Sequence, residues 1–292
     1  MNYSAIQSIR KFVFEIPLFR LSFLLFIGLS VLCNISIMAQ GNLLIAPLRV
    51  VFEGQKRVAE INLANTGQDS AKYSVSFLQY RMTEDGSYEE LTTPDPGQQF
   101  CDKHIRVFPR LVMLGPNETQ VVKLQLTKKE ELQTGEYRSH LYFRALPNQS
   151  ALGETSVIKD SSAISLKIVP IFGITIPVII RVGESTTSIN ITDLKIEKTS
   201  DGTNRLFLSI QRTGNMSVYG DISILYIAPD AKETLIGLQN GVAVYTPNAL
   251  RKLQVILENK SSVDLKKGKI RVSFSSQSDI RPEKFSETEL VL

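Results

Sequence analysis

Cysteine and histidine are scarce in this chain of 292 residues, which contains two of each. Cys33 lies within an apolar N-terminal stretch, so Cys101 is the only cysteine in the rest of the chain, and an internal disulfide is excluded there. Cys101 and His104 stand at a ligand-like spacing, but a structural zinc ion takes about four ligands and no second such pair exists. We therefore predict no metal site and no cofactor.

Motifs of catalysis are missing as well. The sequence has no G-x-S-x-G elbow, no glycine-rich phosphate loop and no H-E-x-x-H motif. A cysteine protease needs its cysteine and histidine on separate elements, whereas Cys101 and His104 are near neighbours. The prediction is a protein that is not an enzyme. A hydrolase would require a cleft that collects His140 together with acidic residues.

The chain also lacks a strong charge of either sign. Its formal net charge is +4, and no basic patch with interleaved aromatic residues occurs along it. Such a chain has no electrostatic footprint for nucleic acid. We expect neither a nucleic-acid partner nor a small-molecule substrate.

The N-terminus is different in character from the rest. Basic residues precede an apolar run from Leu21 to Ile37, which is followed by Met38-Ala39-Gln40. This pattern is typical of a secretory signal peptide, which we place at residues 1–40. The alternative is a membrane anchor, but the run is shorter than the roughly 20 residues of a spanning helix. The prediction is an exported, periplasmic protein whose mature chain does not span the membrane.

From residue 43 onwards short strand patterns alternate with turn residues, and no long amphipathic helix is indicated. Leu43–Glu53 is predicted as the first strand, and the polar segment Met82–Gln99 as a surface loop. After Gly183 the rhythm of strands and turns begins again. The sequence predicts an all-β fold of two immunoglobulin-like β-sandwich domains in tandem, joined at an angle, at residues 41–181 and 182–292.

The stretch Ile164–Arg181 is the most unusual part of the chain. Its even-numbered residues are all apolar, which is the period of a strand: Ile164, Leu166, Ile168, Pro170, Phe172, Ile174, Ile176, Val178 and Ile180. Fully extended, it would span about 60 Å, far more than an ordinary strand. Its prolines favour an edge, and a long apolar edge is a hazard unless something pairs with it. We predict that its first half is lent to another protein, the alternative being that both faces are buried core.

Four segments, in this order, resemble the PapD-like periplasmic chaperones of pilus assembly. They are Leu48–Gly54 (L-R-V-V-F-E-G), Phe108–Gln120 (F-P-R-L-V-M-L-G-P-N-E-T-Q), Gly135–Pro147 (G-E-Y-R-S-H-L-Y-F-R-A-L-P) and the long stretch ending in I-P-V-I-I-R. The resemblance samples the whole first domain, whereas the second domain matches only in size and strand number. It implies donor-strand complementation, in which the chaperone completes an unfinished subunit sandwich with a strand of its own.

The resemblance also implies which residues bind the subunit. The donor strand would present Ile164, Leu166, Ile168, Phe172 and Ile174 to the partner. Arg49 falls on the position of the family's arginine that holds the subunit's carboxylate, although a strand-end arginine could equally be an exposed one. Pro177 stands where the family has a lysine. Arg181 is the candidate for a second anchor, with Lys167 on the same side of the strand and anchoring by Arg49 alone as the alternatives. Glu136 matches an acidic position that serves internal ion pairing.

Two hypotheses from different classes follow. The first is a periplasmic chaperone that stabilises pilus or fimbrial subunits by donor-strand complementation, with an outer-membrane usher as a further candidate partner. The second is an exported structural or adhesion module of two domains that has the fold without the chaperone activity. The absence of the lysine at Pro177 favours the second, and the unbroken alternation of Ile164–Ile176 favours the first.

Overall fold

The structure is a computed structural model that describes residues 43–147, 171–200, 202–260, 263–277 and 283–292. The predicted signal peptide, residues 1–40, lies outside the described residues, as do the predicted donor residues Ile164, Leu166 and Ile168. Throughout the described ranges the chain forms strands and two short 3-10 turns, Asp102–His104 and Lys129–Glu131, with no α-helix. None of these ranges holds a helix of the length and apolarity needed to cross a bilayer.

Among the described residues, ten strands build the first sandwich. They are β1 (Leu43–Ala46), β2 (Val50–Phe52), β3 (Val58–Asn65), β4 (Ala71–Met82), β5 (Tyr88–Leu91), β6 (Ile105–Phe108), β7 (Leu111–Leu114), β8 (Thr119–Leu126), β9 (Gly135–Leu146) and β10 (Gly173–Val182). One sheet has the order β1-β3-β8-β6, and the other β2-β10-β9-β4-β5, with β7 also paired to β4. Alternate side chains of both sheets meet in a single core that includes Ile61, Leu124 and Phe143.

In the described part of the chain after Gly183, seven strands build the second sandwich. They are β11 (Ser188–Lys198), β12 (Asn204–Thr213), β13 (Val218–Ile227), β14 (Glu233–Val244), β15 (Leu250–Ile256), β16 (Lys269–Ser276) and β17 (Lys284–Val291). The sheets have the orders β11-β12-β15 and β14-β13-β16-β17. Leu206, Ile222 and Phe274 belong to its separate core. The predicted fold class, two β-sandwiches in tandem, is therefore confirmed, whereas the limits 41–181 and 182–292 stay predictions.

The prediction of one continuous strand over Leu43–Glu53 was wrong. β1 pairs with β3 in the first sheet, and β2 pairs with β10, in parallel, in the second. Pro47 lies between them and has no backbone N–H to give to a ladder. The chain therefore crosses from one sheet to the other within this segment, and both sheets gain a strand.

The prediction of a surface loop over Met82–Gln99 was wrong in its first half. Tyr88–Leu91 forms β5, which pairs with residues 79–82 of β4 to make a hairpin. At its tip the Asp85 carboxylate accepts hydrogen bonds from Thr83 and Ser87, and Gly86 has a positive φ of 88°. A polar turn with glycine in the left-handed region is suited to closing such a hairpin.

Strand β10 is the described part of the long apolar stretch. It pairs with β9 along its whole length in antiparallel register, but with β2 only at Val178–Ile180. Its even-numbered side chains point into the first core, where Ile176, Val178 and Ile180 are at most 1 % exposed. Over Gly173–Val182, the alternation seen in the sequence thus corresponds to one core-facing side of a single strand.

A smaller apolar cluster joins the two sandwiches. Met82, at the end of β4, and Ile179, on the odd-numbered side of β10, pack with Ala243 and Tyr245 of the second sandwich. Ile179 is completely buried even though it faces away from the first core. The second sandwich therefore covers the outer face of β10 near its C-terminal end.

We expect Ile180→Ala to lower the free energy of unfolding by about 2–5 kcal/mol, because it opens a cavity in a fully buried position of β10. The matched control is Ile256→Ala, since Ile256 is 58 % exposed, and there we expect a change within about 0.5 kcal/mol. Urea unfolding of both variants is the measurement. Equal losses in the two variants would show that β10 contributes no core.

Candidate functional site

The N-terminal half of β10 has an open edge. β9 occupies one side of Gly173–Pro177, while β2 reaches only as far as Val178 on the other side. Within the residues that the structure describes, no strand continues the ladder beside Gly173–Pro177. Unpaired N–H and C=O groups along such an edge can bind a further strand. Pro177, predicted to favour an edge, lies in this half.

The apolar face of β10 passes from core to surface along this open half. Ile176 is 1 % exposed, Ile174 is partly buried against the first core, and Phe172 is 47 % exposed. Phe172 and Ile174 are the two predicted donor residues that the structure describes. Both lie on the even-numbered side of the strand, so the face that fills the first core continues outwards past its rim.

The ladder to β9 continues one residue before Gly173, the first residue of β10. The N–H of Ala145 donates to the carbonyl of Phe172 at 2.9 Å. Gly173 is covered by the ring of Tyr142, which would lie 2.2 Å from a Cβ built there. The glycine therefore lets an aromatic side chain lie flat over the strand, and β9 holds the backbone in place up to Phe172.

Arg49 lies between β1 and β2 and reaches the second sandwich. Its Nη1 donates to the hydroxyl of Tyr245 at 2.9 Å. Its guanidinium carbon is 4.6 Å from the ring centroid of Tyr219 and 5.3 Å from that of Tyr245. Both distances are within the range of cation–π attraction. The predicted anchor is thus placed where the two sandwiches meet.

Arg181 is placed elsewhere and is already engaged. Its Nε donates to the Glu136 carboxylate at 3.2 Å, and its Nη2 donates to the backbone carbonyl of Ser217 at 2.7 Å. A third nitrogen, Nη1, is 3.8 Å from the Glu53 carboxylate. Its role as an anchor stays a prediction, and the structure does not place it with Arg49 on the tyrosines.

Glu136 is the polar link between the sandwiches. Its side chain is fully buried, and one carboxylate oxygen accepts hydrogen bonds from the backbone N–H and the hydroxyl of Ser217, at 3.0 and 2.6 Å. The other oxygen accepts a longer bond from Thr246 at 3.4 Å. A buried carboxylate is tolerated only with such compensation. The ion pair that the sequence indicated for Glu136 is thus made with Arg181 and extended into the second sandwich.

The sequence analysis did not place two further residues of β9, Arg138 and His140, at the candidate site. In the register of the sheet Arg138 is opposite Ile179, and His140 is opposite Pro177. Arg138 is 2 % exposed and its guanidinium carbon is 4.3 Å from the ring centroid of Tyr245. Arg49 and Arg138 thus both lie near the ring of Tyr245.

Aromatic rings enclose His140 on several sides. The imidazole makes edge-on contacts with Tyr80, Tyr88 and Tyr245 at centroid distances of 5.0, 5.5 and 6.5 Å. Burial, together with the charges of Arg138 and Arg49, lowers the pKa of His140 to about 3. Burial also lowers the pKa of Arg138 and raises that of Tyr88. His140 is therefore neutral at physiological pH.

The polar face of β9 was visible in the sequence, but its burial was not. Glu136, Arg138 and His140 alternate with core residues such as Tyr137 and Leu141. Such alternation is expected of a strand with one solvated face. The second sandwich covers that face instead, which no local pattern in β9 could indicate.

Cys101 and His104 each have other partners in the structure. Cys101 is completely buried, its thiol donates to the carbonyl of Val178 at 3.2 Å, and burial raises its pKa to about 12. His104 packs edge-on against Tyr137. In the part of the chain that the structure describes, no three metal-ligating side chains come together.

No protein-family model matches the sequence, and no curated protein matches it.

The chain is similar to several solved structures of fimbrial chaperones. The YadV chaperone is 11 % identical, with a TM-score of 0.44 and coverage of 86 % of this chain and 100 % of that one. The class 5 fimbriae chaperone CfaA is 15 % identical, with a TM-score of 0.41 and coverage of 86 % and 98 %. The structure of the Salmonella enterica SafA pilin in complex with the SafB chaperone is 13 % identical, with a TM-score of 0.42 and coverage of 86 % of this chain and 96 % of that one. A likeness this distant carries no argument about site residues or partners.

We expect acid to destabilise the protein through His140. Because its folded pKa lies below the unfolded value of about 6.5, the unfolded chain binds an extra proton as the pH falls from 6.5 towards 3. The free energy of unfolding is therefore greatest above pH 6.5 and falls on acidification, by about 2 kcal/mol at pH 5. The measurement is the difference in unfolding free energy between pH 7.5 and pH 5, which should be smaller in His140→Gln by this amount. Equal differences in the two proteins would contradict the assignment.

We expect Glu136→Gln to lower the free energy of unfolding by about 3 kcal/mol, because it leaves the largely buried Arg181 without its ionised partner. The matched control is Glu289→Gln, which removes an exposed carboxylate paired with Lys269 and Arg271. Its loss should be much smaller, since exposed ion pairs contribute little. Thermal unfolding followed by circular dichroism compares the two, and the idea fails if the control is as damaging.

Proposed function

We propose that this protein is a periplasmic, non-enzymatic chaperone that binds pilus or fimbrial subunits by lending them a strand. The observation that supports this most directly is the open edge of β10 at Gly173–Pro177, with an apolar face that runs out of the core to the exposed Phe172. Strand addition needs both features. The free edge supplies main-chain hydrogen bonds, and alternate side chains supply selectivity.

The partner would be a sandwich that lacks a strand. Its open groove would receive Ile164, Leu166, Ile168, Phe172 and Ile174, which the sequence places on one side of the strand. Burying an apolar side chain of this size stabilises by about 1.5–3 kcal/mol. Five of them supply enough to overcome the cost of association and leave a complex that can still be released.

Arg49 would lie near the carboxyl end of the bound subunit and fix its register. Its guanidinium is oriented by two tyrosines of the second sandwich, Tyr219 and Tyr245. Arg181 is the second proposed anchor. In the unbound protein its nitrogens contact Glu136, Ser217 and Glu53, so an anchor role for it would require these contacts to be exchanged.

That engagement of Arg181, with proline at position 177, favours the second candidate function. An exported structural or adhesion module with this fold would need the Arg181–Glu136 pair only to hold its two sandwiches together. Such a module would not need an arginine that is free to bind the carboxylate of a partner. An outer-membrane usher would be a partner under the chaperone proposal alone.

The test is capture of a subunit from the periplasm. We expect the double change Leu166→Asp with Ile168→Asp to abolish co-purification of partner proteins, because it places two charges on the donated face. The matched control, Ser165→Asp with Thr175→Asp, adds the same charge on the opposite side of the strand and should retain capture. Thr175 is exposed, so the control is not expected to disturb the fold.

The readout is mass spectrometry of proteins that co-purify with the tagged chain. Undiminished capture by the Leu166→Asp, Ile168→Asp variant, with unchanged thermal stability, would exclude the chaperone proposal. It would leave the structural or adhesion module as the better description.

A further inference from the structure

The tip of the β4–β5 hairpin, residues 83–87, is attached to the second sandwich. The carbonyl of Glu84 accepts a hydrogen bond from the backbone N–H of Lys252, on β15, at 2.6 Å. The side chains of the same two residues form an ion pair at 2.8 Å. Among the described strands β15 is at the edge of its sheet. The free edge of one sandwich therefore binds the tip of a hairpin that belongs to the other.

Arg251, the residue before Lys252, contacts the hairpin at a second point. Its Nη1 donates to the carbonyl of Ala243 at 2.5 Å and lies 3.4 Å from the sulfur of Met82. Its guanidinium also lies against the backbone of Gly86, where a Cβ built on the glycine would overlap it. Gly86 thus has two constraints, the close approach of Arg251 and its positive φ of 88°.

The base of the hairpin is held by the second sandwich as well. The side-chain amide of Asn248 donates to the carbonyl of Met82. The ring of Tyr88 lies 6.5 Å from that of Tyr245, measured between centroids. Contacts to the second sandwich therefore run from the base of the hairpin to its tip.

Packing within the first sandwich does not fix the hairpin in the same way. β5 is the last strand of its sheet and pairs with β4, and its side chains are mostly exposed. None of residues 83–91 belongs to the first core. An isolated two-stranded hairpin is only marginally stable in water. The position of this hairpin therefore depends on the second sandwich.

We propose that the β4–β5 hairpin is a strap that fixes the angle between the two sandwiches. Domains joined by a small interface move relative to one another by default, and the apolar cluster around Met82 and Ile179 is small. A second attachment, at Arg251 and Lys252 on β15, resists rotation about that cluster. This role requires no subunit, so it does not rest on the proposed function.

The first test is a disulfide across the tip contact. Glu84→Cys with Lys252→Cys should cross-link on air oxidation, because the two residues share a main-chain hydrogen bond and their side chains meet. The oxidised form should have a Tm about 5 °C or more above that of its reduced form, since the bridge closes a long loop. Each single variant is a control and should show no such difference. A folded double variant that does not cross-link would overturn the proposal.

The second test measures the angle between the sandwiches. Spin labels at Arg106→Cys and Lys284→Cys, which are exposed positions on β6 and β17, report the distance between them by pulsed electron paramagnetic resonance. The distance distribution should be narrow in the labelled protein and about twice as wide or more once Arg251→Ala is added, because the strap is released. Cys101 is completely buried and should not take up the label.

A control variant separates release of the strap from loss of stability. Val272→Ala opens a cavity in the second core, so it should lower Tm without widening the distribution. If Arg251→Ala does not fold, Gly86→Ala replaces it, because its Cβ would displace the guanidinium. A distribution that stays narrow in the strap variant, or that Val272→Ala widens equally, would overturn the proposal.

Discussion

The antiparallel ladder between β9 and β10 is the interaction on which the rest of the structure depends. On one side it places Ile176, Val178 and Ile180 in the first core. On the other it presents Arg138, His140 and Ile179 to the second sandwich. Because successive side chains of a strand point to opposite faces, these two strands pack against the first core on one face and against the second sandwich on the other. A change in their register would exchange the two faces.

Two buried charged side chains lie where the sandwiches meet. The carboxylate of Glu136 has several hydrogen-bond partners, and the guanidinium of Arg138 lacks partners for two of its nitrogens. These residues are separated by one position on the same face of β9. A buried ion whose hydrogen bonds are complete can specify how two surfaces meet, whereas one left partly unpaired costs stability.

Hydrophobic alternation was sufficient to predict the strands, the two sandwiches and the core-facing side of β10, because those depend on local period and on burial of apolar surface. It could not predict that the segment around Pro47 changes sheets, since both halves have a strand pattern. The hairpin at Tyr88–Leu91 was missed because its residues are polar and mostly exposed. Arg138 and His140 were not placed at the site because the surface that buries them is distant in sequence. The open half of β10 was visible in the sequence only as an excess of length.

The parallel pairing of β2 with β10 has a consequence for the order in which the protein folds. Val50–Phe52 is near the beginning of the first sandwich and Val178–Ile180 near its end, so this contact joins nearly the whole first sandwich into one loop. Contacts between such distant segments form slowly because the chain entropy is lost before the contact is gained. During synthesis β2 therefore cannot complete this pairing until β10 has been made, and the sheet stays incomplete while most of the first sandwich is being synthesised.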